Sequence, residues 1–373
     1  MSRDGDPSED ASLITPSSTV SLGRTGLHVT RLGLGMRPLG LLPPSEVVEG
    51  QEIIRASIRL GIGLLDTAPI YGKGESERRL GEVSAELPGS LVVSTKVGKI
   101  LVPGTPRRPV MKILSETLTG GPAAIASLTT KAARMVGNAM RSGPQAAGAN
   151  LAARSDYSYD ATMRSVEESL ERTRQDRFGI VYIHDPDDHL DEAMTGSFRA
   201  LERLRSDGTI TAVGASSNHC ETLLHLAKAG TFDCFLLAGR YSLLDQSAAE
   251  DLFPVALGRG IPIVLGGVFN SGVLADPWAA QPSFDYAPAS ELQIARARLL
   301  EDVCGRHGVS LKAAAIQFPS GHPAVTSVLL GVESAAELEE DVRLASTPVP
   351  AAFWEECHHE GLLADTIPVP SGR

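Results

Sequence analysis

The chain has 373 residues, of which 42% are apolar, and it carries a formal charge of −11 with an isoelectric point near 5.4. This length supports a sizeable core, whereas the acidic balance argues against nucleic acid or an anionic membrane as the main partner, since both require clustered Lys and Arg. The four scattered cysteines lack a C-x-x-C pair, so we predict neither a disulfide framework nor a metal site.

The N-terminal segment is polar, rich in Ser, Asp and Pro, and contains no apolar leader. We predict a disordered tail over 1–17, because so polar a segment cannot bury enough surface to order itself, and one domain over 18–373. No run approaches the roughly 20 apolar residues of a membrane span. These features favour a cytoplasmic protein without a membrane partner, and they carry no information on oligomeric state.

Residues 19–29 contain two alternating runs around Gly and predict a β-hairpin. Short apolar runs then alternate with segments of helical period. The apolar runs predict strands at 31–35, 62–65, 91–95, 179–183, 210–214, 233–237, 261–265 and 326–330. The helical segments are 46–60, 75–86, 160–174, 191–207, 219–229, 247–259, 290–318 and 334–345. Eight such units close a parallel barrel, so we predict a (β/α)8 TIM barrel of the α/β class rather than two domains.

Several helix boundaries carry local signals. Ser45, Ser310 and Ser334 stand where N-cap residues belong, because a serine hydroxyl accepts a hydrogen bond from a free helical N–H. Gly61 and Gly208 follow helix ends, where a left-handed backbone is common.

A long insertion interrupts this alternation after the third predicted strand. Residues 100–157 are rich in Gly, Ala and Ser and lean basic. Loops that follow barrel strands lie at the mouth where active sites are built, so we interpret the insertion as a lid, partly helical over 122–140. Plain disorder explains the same composition equally well.

Three predicted strands end in residues that carry chemistry. Asp66, Lys96 and His184 close the second, third and fourth strands, and Tyr71 follows Asp66. Parallel strands place their carboxyl ends at one mouth, so the four side chains are expected to converge. There Lys96 would stabilise a phenolate and lower the pKa of Tyr71 from its usual value of about 10, Asp66 would hold Lys96 charged, and His184 would contact a substrate oxygen.

Four motifs resemble those of the aldo-keto reductases: D-T-A-x-x-Y-G at 66–72, E-x-x-L-G at 77–81, S-T-K-x-G at 94–98 and Y-I-H-D-P at 182–186. The resemblance runs from about residue 19 to 368. It implies a barrel plugged by the N-terminal hairpin, and hydride transfer between a nicotinamide cofactor and a small carbonyl or sugar substrate. The catalytic residues that it implies are Asp66, Tyr71, Lys96 and His184.

Segments at 184–188, 237–246, 267–272 and 317–323 resemble one branch of that family, the D-threo-aldose 1-dehydrogenases, L-fucose dehydrogenases and pyridoxal 4-dehydrogenases. The branch implies oxidation of an aldose or a pyridoxal-like hemiacetal to a lactone, with Tyr71 as the base. Two alternatives stay open. One is an NADPH-dependent aldehyde or ketone reductase of specialised metabolism, suggested by the insertion, and the other is a cofactor-binding regulatory subunit.

The cofactor prediction rests on the resemblance, because no G-x-G-x-x-G follows a strand. By position, residues after the first and fifth strands would line the nicotinamide, and residues after the seventh would lie along the pyrophosphate. These residues are Gly35, Met36, Ser216, Ser217, Asn218, Phe269, Asn270, Ser271 and Gly272. Two positions depart from the family pattern, since Ala238 replaces a common Gln and Gly266 an aromatic ring that often stacks on nicotinamide.

The segment after the eighth strand is acidic. Residues expected near the adenosine ribose are Gly331, Glu333, Ser334, Glu337 and Asp341. Carboxylates repel a 2′-phosphate but accept a hydrogen bond from a free 2′-hydroxyl, so we expect NAD, with NADP as the alternative. An acidic helix N-terminus favoured by the helix dipole explains the same residues without a ligand.

Two further loops contain candidate ligand contacts, with loop or core packing as the alternative. The first follows the sixth strand and the second lies in a Pro-rich segment after the seventh: Arg240, Tyr241, Asp245, Trp278, Phe284, Asp285 and Tyr286.

Overall fold

The computed structural model describes residues 16–103 and 151–371. The tail predicted over 1–17 lies outside these residues except for Pro16 and Ser17, which form a turn before the first strand. The helix predicted within 122–140 also lies outside them.

Eight parallel strands close into a barrel, as predicted. In their order around the barrel they are β3 (Leu32–Gly35), β4 (Leu64–Asp66), β5 (Val92–Val97), β8 (Phe178–His184), β9 (Ile210–Ser217), β10 (Cys234–Ala238), β11 (Ile263–Gly266) and β14 (Val325–Leu330). Each predicted strand overlaps one of these. Strands covered on both faces form from nearly continuous apolar runs, which explains why periodicity located them.

Helices surround the barrel and bury their apolar sides against it. They are α1 (Arg37–Leu41), α2 (Val47–Arg59), α3 (Glu75–Glu82), α4 (Tyr159–Thr173), α5 (Leu190–Glu192), a π-helix (Ala193–Phe198), α6 (Arg199–Ser206), α7 (Cys220–Ala229), α8 (Leu252–Arg259), α9 (Glu291–His307), α10 (Leu311–Gln317), α11 (Ala335–Ala345) and α12 (Ala351–His359). In the part of the chain that the structure describes, no helix is long and apolar enough to cross a membrane.

Two helix predictions were wrong in detail. The segment 290–318 is two helices, because Gly308 adopts a left-handed backbone with φ of 65° and ends α9 before α10 begins. Ser45 caps no α-helix, since it lies inside a short 3-10 turn and α2 begins at Val47. Ser334 does cap α11, and its hydroxyl accepts a hydrogen bond from the N–H of Glu337.

The N-terminal hairpin closes one end of the barrel. Strands β1 (Thr19–Ser21) and β2 (His28–Thr30) pair antiparallel, as predicted. Leu22 and Val29 from this hairpin pack with inward-facing barrel residues such as Leu64 and Ile180. This end is therefore apolar and sealed, and it leaves the opposite end of the barrel for polar side chains.

The insertion begins and ends in a second hairpin. Strands β6 (Lys99–Pro103) and β7 (Leu151–Ser155) pair antiparallel, with Lys99 opposite Ser155. The two ends of the insertion therefore leave and rejoin the barrel side by side, directly above the end of β5. A third small hairpin, β12 (Ser283–Phe284) with β13 (Ala287–Pro288), lies in the loop after β11.

Candidate active site

A cavity of about 510 Å³ opens at the carboxyl end of the barrel. Its volume is within the range of small-molecule sites. Tyr71, Lys96 and His184 line its base, and with Asp66 beneath them we call this set the floor. Lys99, Asp185, Arg37 and Tyr286 line the entrance, and we call them the rim.

The floor follows from the two-residue period of the strands. On β5, Val92, Ser94 and Lys96 share one face, and the row changes from apolar to charged toward the mouth. The neighbouring strand β4 shows the same change from apolar to charged, with Leu64 in the apolar layer and Asp66 above it. Asp66 and Ser94 are direct partners in the register. The polar residues predicted at strand ends therefore form one layer.

Lys96 and Asp66 form a buried ion pair. Lys96 Nζ lies 2.6 Å from Asp66 Oδ2 and also donates to the Thr67 carbonyl at 2.8 Å. The second carboxylate oxygen of Asp66 accepts from the Ser94 hydroxyl at 2.7 Å. Only 1% of Lys96 and 3% of Asp66 are exposed. A buried pair with its remaining groups satisfied is costly to break, so the ammonium is fixed in position.

Tyr71 is held above this pair by a close backbone contact. A Cβ at Gly72 would lie 1.8 Å from the Gly40 carbonyl oxygen, so the first turn after β3 rests directly on the Tyr71–Gly72 peptide. Gly72 itself has φ of 58°, a conformation that favours glycine. Lys96 Nζ lies 4.7 Å from the centroid of the Tyr71 ring.

Burial and charge act in opposite directions on the two floor groups. Burial raises the pKa of Tyr71 above its usual value, and Lys96 offsets only part of that rise. The expectation that Lys96 lowers the pKa of Tyr71 overall was therefore wrong for this site, because burial disfavours the phenolate more strongly. Burial likewise disfavours the ammonium of Lys96, yet Asp66 and Tyr71 hold its pKa above the usual value.

His184 faces Tyr71 as a neutral imidazole. Burial, together with Lys96 and Lys99, holds the pKa of His184 well below its usual value. Its ring meets the Tyr71 ring edge to face, with centroids 6.0 Å apart. A neutral imidazole has one donor and one acceptor nitrogen, so His184 can form a hydrogen bond with a substrate oxygen whether that oxygen is a hydroxyl or a carbonyl.

Tyr157 supports this arrangement and was missed by sequence reasoning. Its hydroxyl lies 2.7 Å from the carbonyl oxygens of both His184 and Asp185. A Cβ at Gly98 would lie 2.1 Å from the Tyr157 ring, so the glycine of S-T-K-x-G makes room for it. Tyr157 falls inside the predicted insertion, where composition indicated a lid rather than a support for the strand end.

The residues predicted to line the nicotinamide lie partly in the cavity wall. Ser216, Ser217 and Asn218 line it at the carboxyl end of β9. Ser217 donates to Asp187 Oδ1 at 2.7 Å. The Asn218 amide has no hydrogen-bond partner among the described residues. Met36 is fully buried, with its N–H bonded to the Asp66 carbonyl, and Gly35 pairs with Asp66 in the register, so both lie beside the floor.

The residues predicted along the pyrophosphate form a tight turn after β11. The Asn270 side chain is 1% exposed and bonds Ser242 and the Gly239 carbonyl. Ser271 accepts from the Tyr286 N–H at 3.0 Å. Phe269 and Gly272 flank these residues at the two ends of the turn, and none of the four lines the cavity.

Three acceptors occupy the start of α11. Glu337 Oε2 accepts from the Glu333 N–H at 2.8 Å, and Glu49 accepts from the Ala335 N–H at 2.9 Å. The Ser334 hydroxyl accepts from the N–H of Glu337. Gly331 and Glu333 are exposed at this end.

Asp341 does not face a ligand. It is fully buried, and its carboxylate lies 2.8 Å from Lys312 Nζ on α10. The ribose contact predicted for Asp341 is therefore corrected to a structural ion pair, because Asp341 shares the buried face of α11 with Leu338 and Ala345, three and four positions away.

The rim was largely missed. Arg37 and Lys99 belong to no motif quoted above, yet both line the cavity, and Lys99 pairs with Asp185 at 2.6 Å. Tyr286 was a candidate, and it lies at the entrance with Arg37 over its ring. The positive charges of Arg37 and Lys99 could be read from the sequence, but the direction in which each side chain points could not.

The other loop candidates pack within the loops or the core. Arg240 pairs with Asp285 at 2.6 Å and with Asp245 at 3.4 Å, while Tyr241 is buried among aromatic rings. Trp278 is 60% exposed, and its ring lies against Arg298. Phe284 is partly buried and packs against the hydrophobic core.

Residues 31–359 match the model of the Aldo/keto reductase family. A pyridoxal 4-dehydrogenase from Microbacterium luteolum is 38% identical over 355 residues, which cover 92% of this chain and 97% of that protein. A D-threo-aldose 1-dehydrogenase from Pseudomonas sp. is 32% identical and covers 93% and 98%. A glycerol dehydrogenase structure from Gluconobacter oxydans aligns with a TM-score of 0.68 at 21% identity, covering 95% of this chain and 97% of that one, and shares the barrel fold.

Proposed function

This chain belongs to the aldo/keto reductase family, and from that premise we propose that it is an NAD-dependent dehydrogenase of lactols. As a member of this family, the protein is an oxidoreductase that acts on a small carbonyl compound with a nicotinamide cofactor. The finer proposal is oxidation of an aldose or of a pyridoxal-like hemiacetal to a lactone. The names of the two relatives, one a pyridoxal and the other an aldose dehydrogenase, support this substrate class.

The observation that carries the proposal is the buried Lys96–Asp66 pair beneath Tyr71. An ammonium fixed there favours the phenolate, so Tyr71 can take the proton of the lactol hydroxyl as the C=O bond forms. Asp66 keeps that ammonium charged and oriented. The chemistry that NAD supplies when bound is acceptance of the hydride from the same carbon.

His184 is proposed to orient the substrate oxygen. Its pKa, held well below the usual value, keeps it neutral at working pH and makes it a weak base, so it competes poorly with Tyr71 for the lactol proton. It therefore serves as a hydrogen-bond partner beside the phenol.

The cavity wall fits a nicotinamide. The Asn218 amide, without a partner among the described residues, suits a carboxamide, which needs both a donor and an acceptor. Gly266 carries no ring that could stack on the nicotinamide, and a Cβ there would lie 3.7 Å from Ala238, which lines the cavity. Ser216 and Ser217 would hold the group from the β9 side.

The start of α11 supports NAD over NADP. The N–H groups of Glu333, Ala335 and Glu337 are already bonded to Glu337, Glu49 and Ser334 respectively, and the Glu333 side chain is exposed beside them. A 2′-phosphate brought here would meet carboxylates and find its usual helix donors in use, which disfavours binding. A free 2′-hydroxyl can instead donate to a carboxylate.

A second function, reduction of an aldehyde or ketone, is favoured by one observation. Burial raises the pKa of Tyr71, and the protonated phenol is the acid that reduction requires. The same side chain thus serves either direction, with oxidation favoured at higher pH.

The test is a set of steady-state assays at 340 nm. Purified protein is supplied with NAD or NADP and with pyridoxal, L-fucose or D-arabinose, and separately with NADH or NADPH and simple aldehydes. We expect absorbance to rise with NAD and at least one lactol, and kcat/KM to be about tenfold or more lower with NADP. Turnover confined to NADPH and aldehydes would replace the proposal with the reductase.

A further inference from the structure

The rim contains one cation without a counter-charge. Of the Lys and Arg side chains that line the cavity, Lys96 pairs with Asp66 and Lys99 with Asp185, each at 2.6 Å. Arg37 also lines the cavity and forms no ion pair with any described residue. Its charge therefore faces the space in which a substrate must lie.

Arg37 is held by stacking rather than by hydrogen bonds. Its guanidinium carbon lies 4.5 Å from the centroid of the Tyr286 ring. Stacking occupies the flat face of a guanidinium and leaves the N–H edge free. A planar fork of free donors matches the two oxygens of a carboxylate or a phosphate.

The loop that carries the ring beneath Arg37 is held by hydrogen bonds. The Tyr286 N–H donates to Ser271 at 3.0 Å, and the preceding Asp285 is bound by Arg240 at 2.6 Å. Both Asp285 and Tyr286 have a left-handed backbone, with φ of 49° and 61°. Such a conformation is disfavoured for these residues and persists because the surrounding contacts enforce it. These contacts hold the backbone from which the Tyr286 ring reaches Arg37.

The position of Arg37 in the barrel places it across the mouth from the cavity-lining β9 residues that are proposed to hold the nicotinamide. Arg37 follows β3, and Ser216, Ser217 and Asn218 lie at the carboxyl end of β9, which is four strands away in the eight-stranded order and therefore directly across the mouth. Gly35 and Met36, which precede Arg37, do not line the cavity. The proposed nicotinamide residues and Arg37 face each other over the floor. A substrate between them would have its reacting carbon at the floor and another group at Arg37.

We infer that Arg37 binds an anionic group of the substrate, a carboxylate or a phosphate ester, at the end away from the oxidised carbon. The preferred substrate is then a lactol that also carries a carboxylate or a phosphate ester. This inference rests on the proposed function, because it assigns the far end of the substrate of the same reaction. Arg37 is a specificity-determining residue, and Tyr286 is the residue that positions it.

The test compares three sugars that differ at one carbon: D-galactose, D-galacturonate and D-galactose 6-phosphate. The NAD-loaded wild type, Arg37→Gln and Arg37→Lys are assayed at 340 nm, and sugar binding is measured in parallel by calorimetry so that the result does not depend on turnover. Arg164→Gln is the matched control, because Arg164 is exposed on α4 outside the cavity. NAD affinity is titrated for every variant.

We expect wild type to prefer at least one anionic sugar over galactose by about tenfold or more, the size of a charge-assisted hydrogen bond. Arg37→Gln should lower that ratio by about tenfold, Arg37→Lys should retain part of it, and Arg164→Gln should keep it. If Arg37→Gln loses the preference for D-galacturonate, Arg37 binds a carboxylate. If it loses the preference for D-galactose 6-phosphate, Arg37 binds a phosphate ester. A preference unchanged in Arg37→Gln overturns the inference, as does an equal affinity for all three sugars or a loss confined to NAD affinity.

The two proposals fail separately. Oxidation of pyridoxal or galactose with NAD, without any dependence of the anion preference on Arg37, refutes the inference and leaves the dehydrogenase intact. Anion binding that depends on Arg37, without oxidation of any lactol, refutes the dehydrogenase and leaves the binding site.

Discussion

The floor and the rim of the cavity are built in different ways. Floor residues Asp66, Lys96 and His184 are the last residues of barrel strands or lie within one of them, and their positions follow from the strand register. Rim residues such as Arg37 and Tyr286 stand on connecting segments and contact each other through side chains. Every charge of the floor is paired, whereas Arg37 is not. We infer that reaction type belongs to the floor and substrate choice to the rim.

The largest effect is expected at Tyr71. Tyr71→Phe removes the hydroxyl that accepts the proton, and kcat/KM for lactol oxidation should fall by about a thousandfold, within the usual range of general base catalysis. Tyr159→Phe, at an exposed position on α4, is the control and should retain wild-type activity. Near-normal oxidation by Tyr71→Phe would show that the floor does not catalyse the reaction.

The next effect should come from Lys96. Lys96→Met leaves Asp66 buried and unpaired, and we expect about 3 to 5 kcal/mol less stability together with a loss of oxidation of about a hundredfold. The double variant Lys96→Met with Asp66→Asn removes both charges and should regain much of the stability but none of the activity. Urea unfolding and 340 nm assays separate the two effects. Recovery of activity in the double variant would show that the ammonium acts only on folding.

A smaller effect is expected where the insertion meets the floor. Tyr157→Phe deprives the His184 and Asp185 carbonyls of their shared donor, and we expect about 1 to 3 kcal/mol less stability. If Tyr157 positions His184, kcat should fall several-fold while NAD affinity stays constant. A change in stability with kcat unaltered would make Tyr157 purely structural.

The smallest effect should appear at the rim. Tyr286→Leu removes the ring under Arg37, and the preference for an anionic sugar should fall by about two- to fivefold, the size of an exposed cation–π contact. Tyr286→Phe keeps the ring and should keep the preference. The ratio of kcat/KM for galacturonate to that for galactose is the readout. A larger loss in Tyr286→Phe than in Tyr286→Leu would assign the role to the hydroxyl instead.

The same contrast explains how much the sequence predicted. Barrel strands such as β5 are apolar runs with a polar end, so both the fold and the convergence of Lys96 with Asp66 could be expected from periodicity and motif. The pKa of Tyr71 could not, because it depends on burial by neighbours far away in sequence. Arg37 and Tyr286 are separated by about 250 positions, and no local pattern indicates that such residues stack. Asp341 was misplaced because adjacent helix positions differ by about 100° of rotation, so Glu340 is exposed while Asp341 is buried against Lys312.

The proposed reaction depends most on Tyr71 as the base, and the pH dependence of kcat/KM for lactol oxidation at saturating NAD tests this role most directly. Oxidation needs the phenolate, and burial raises the pKa of Tyr71, so the protonated form prevails at neutral pH. The rate should therefore rise steadily from pH 6 to 9, by up to about tenfold per pH unit. His184, neutral throughout because its pKa is held low, should add no inflection near pH 6.5. A profile that levels off above about pH 7 and survives in Tyr71→Phe would contradict the account and make His184 the base.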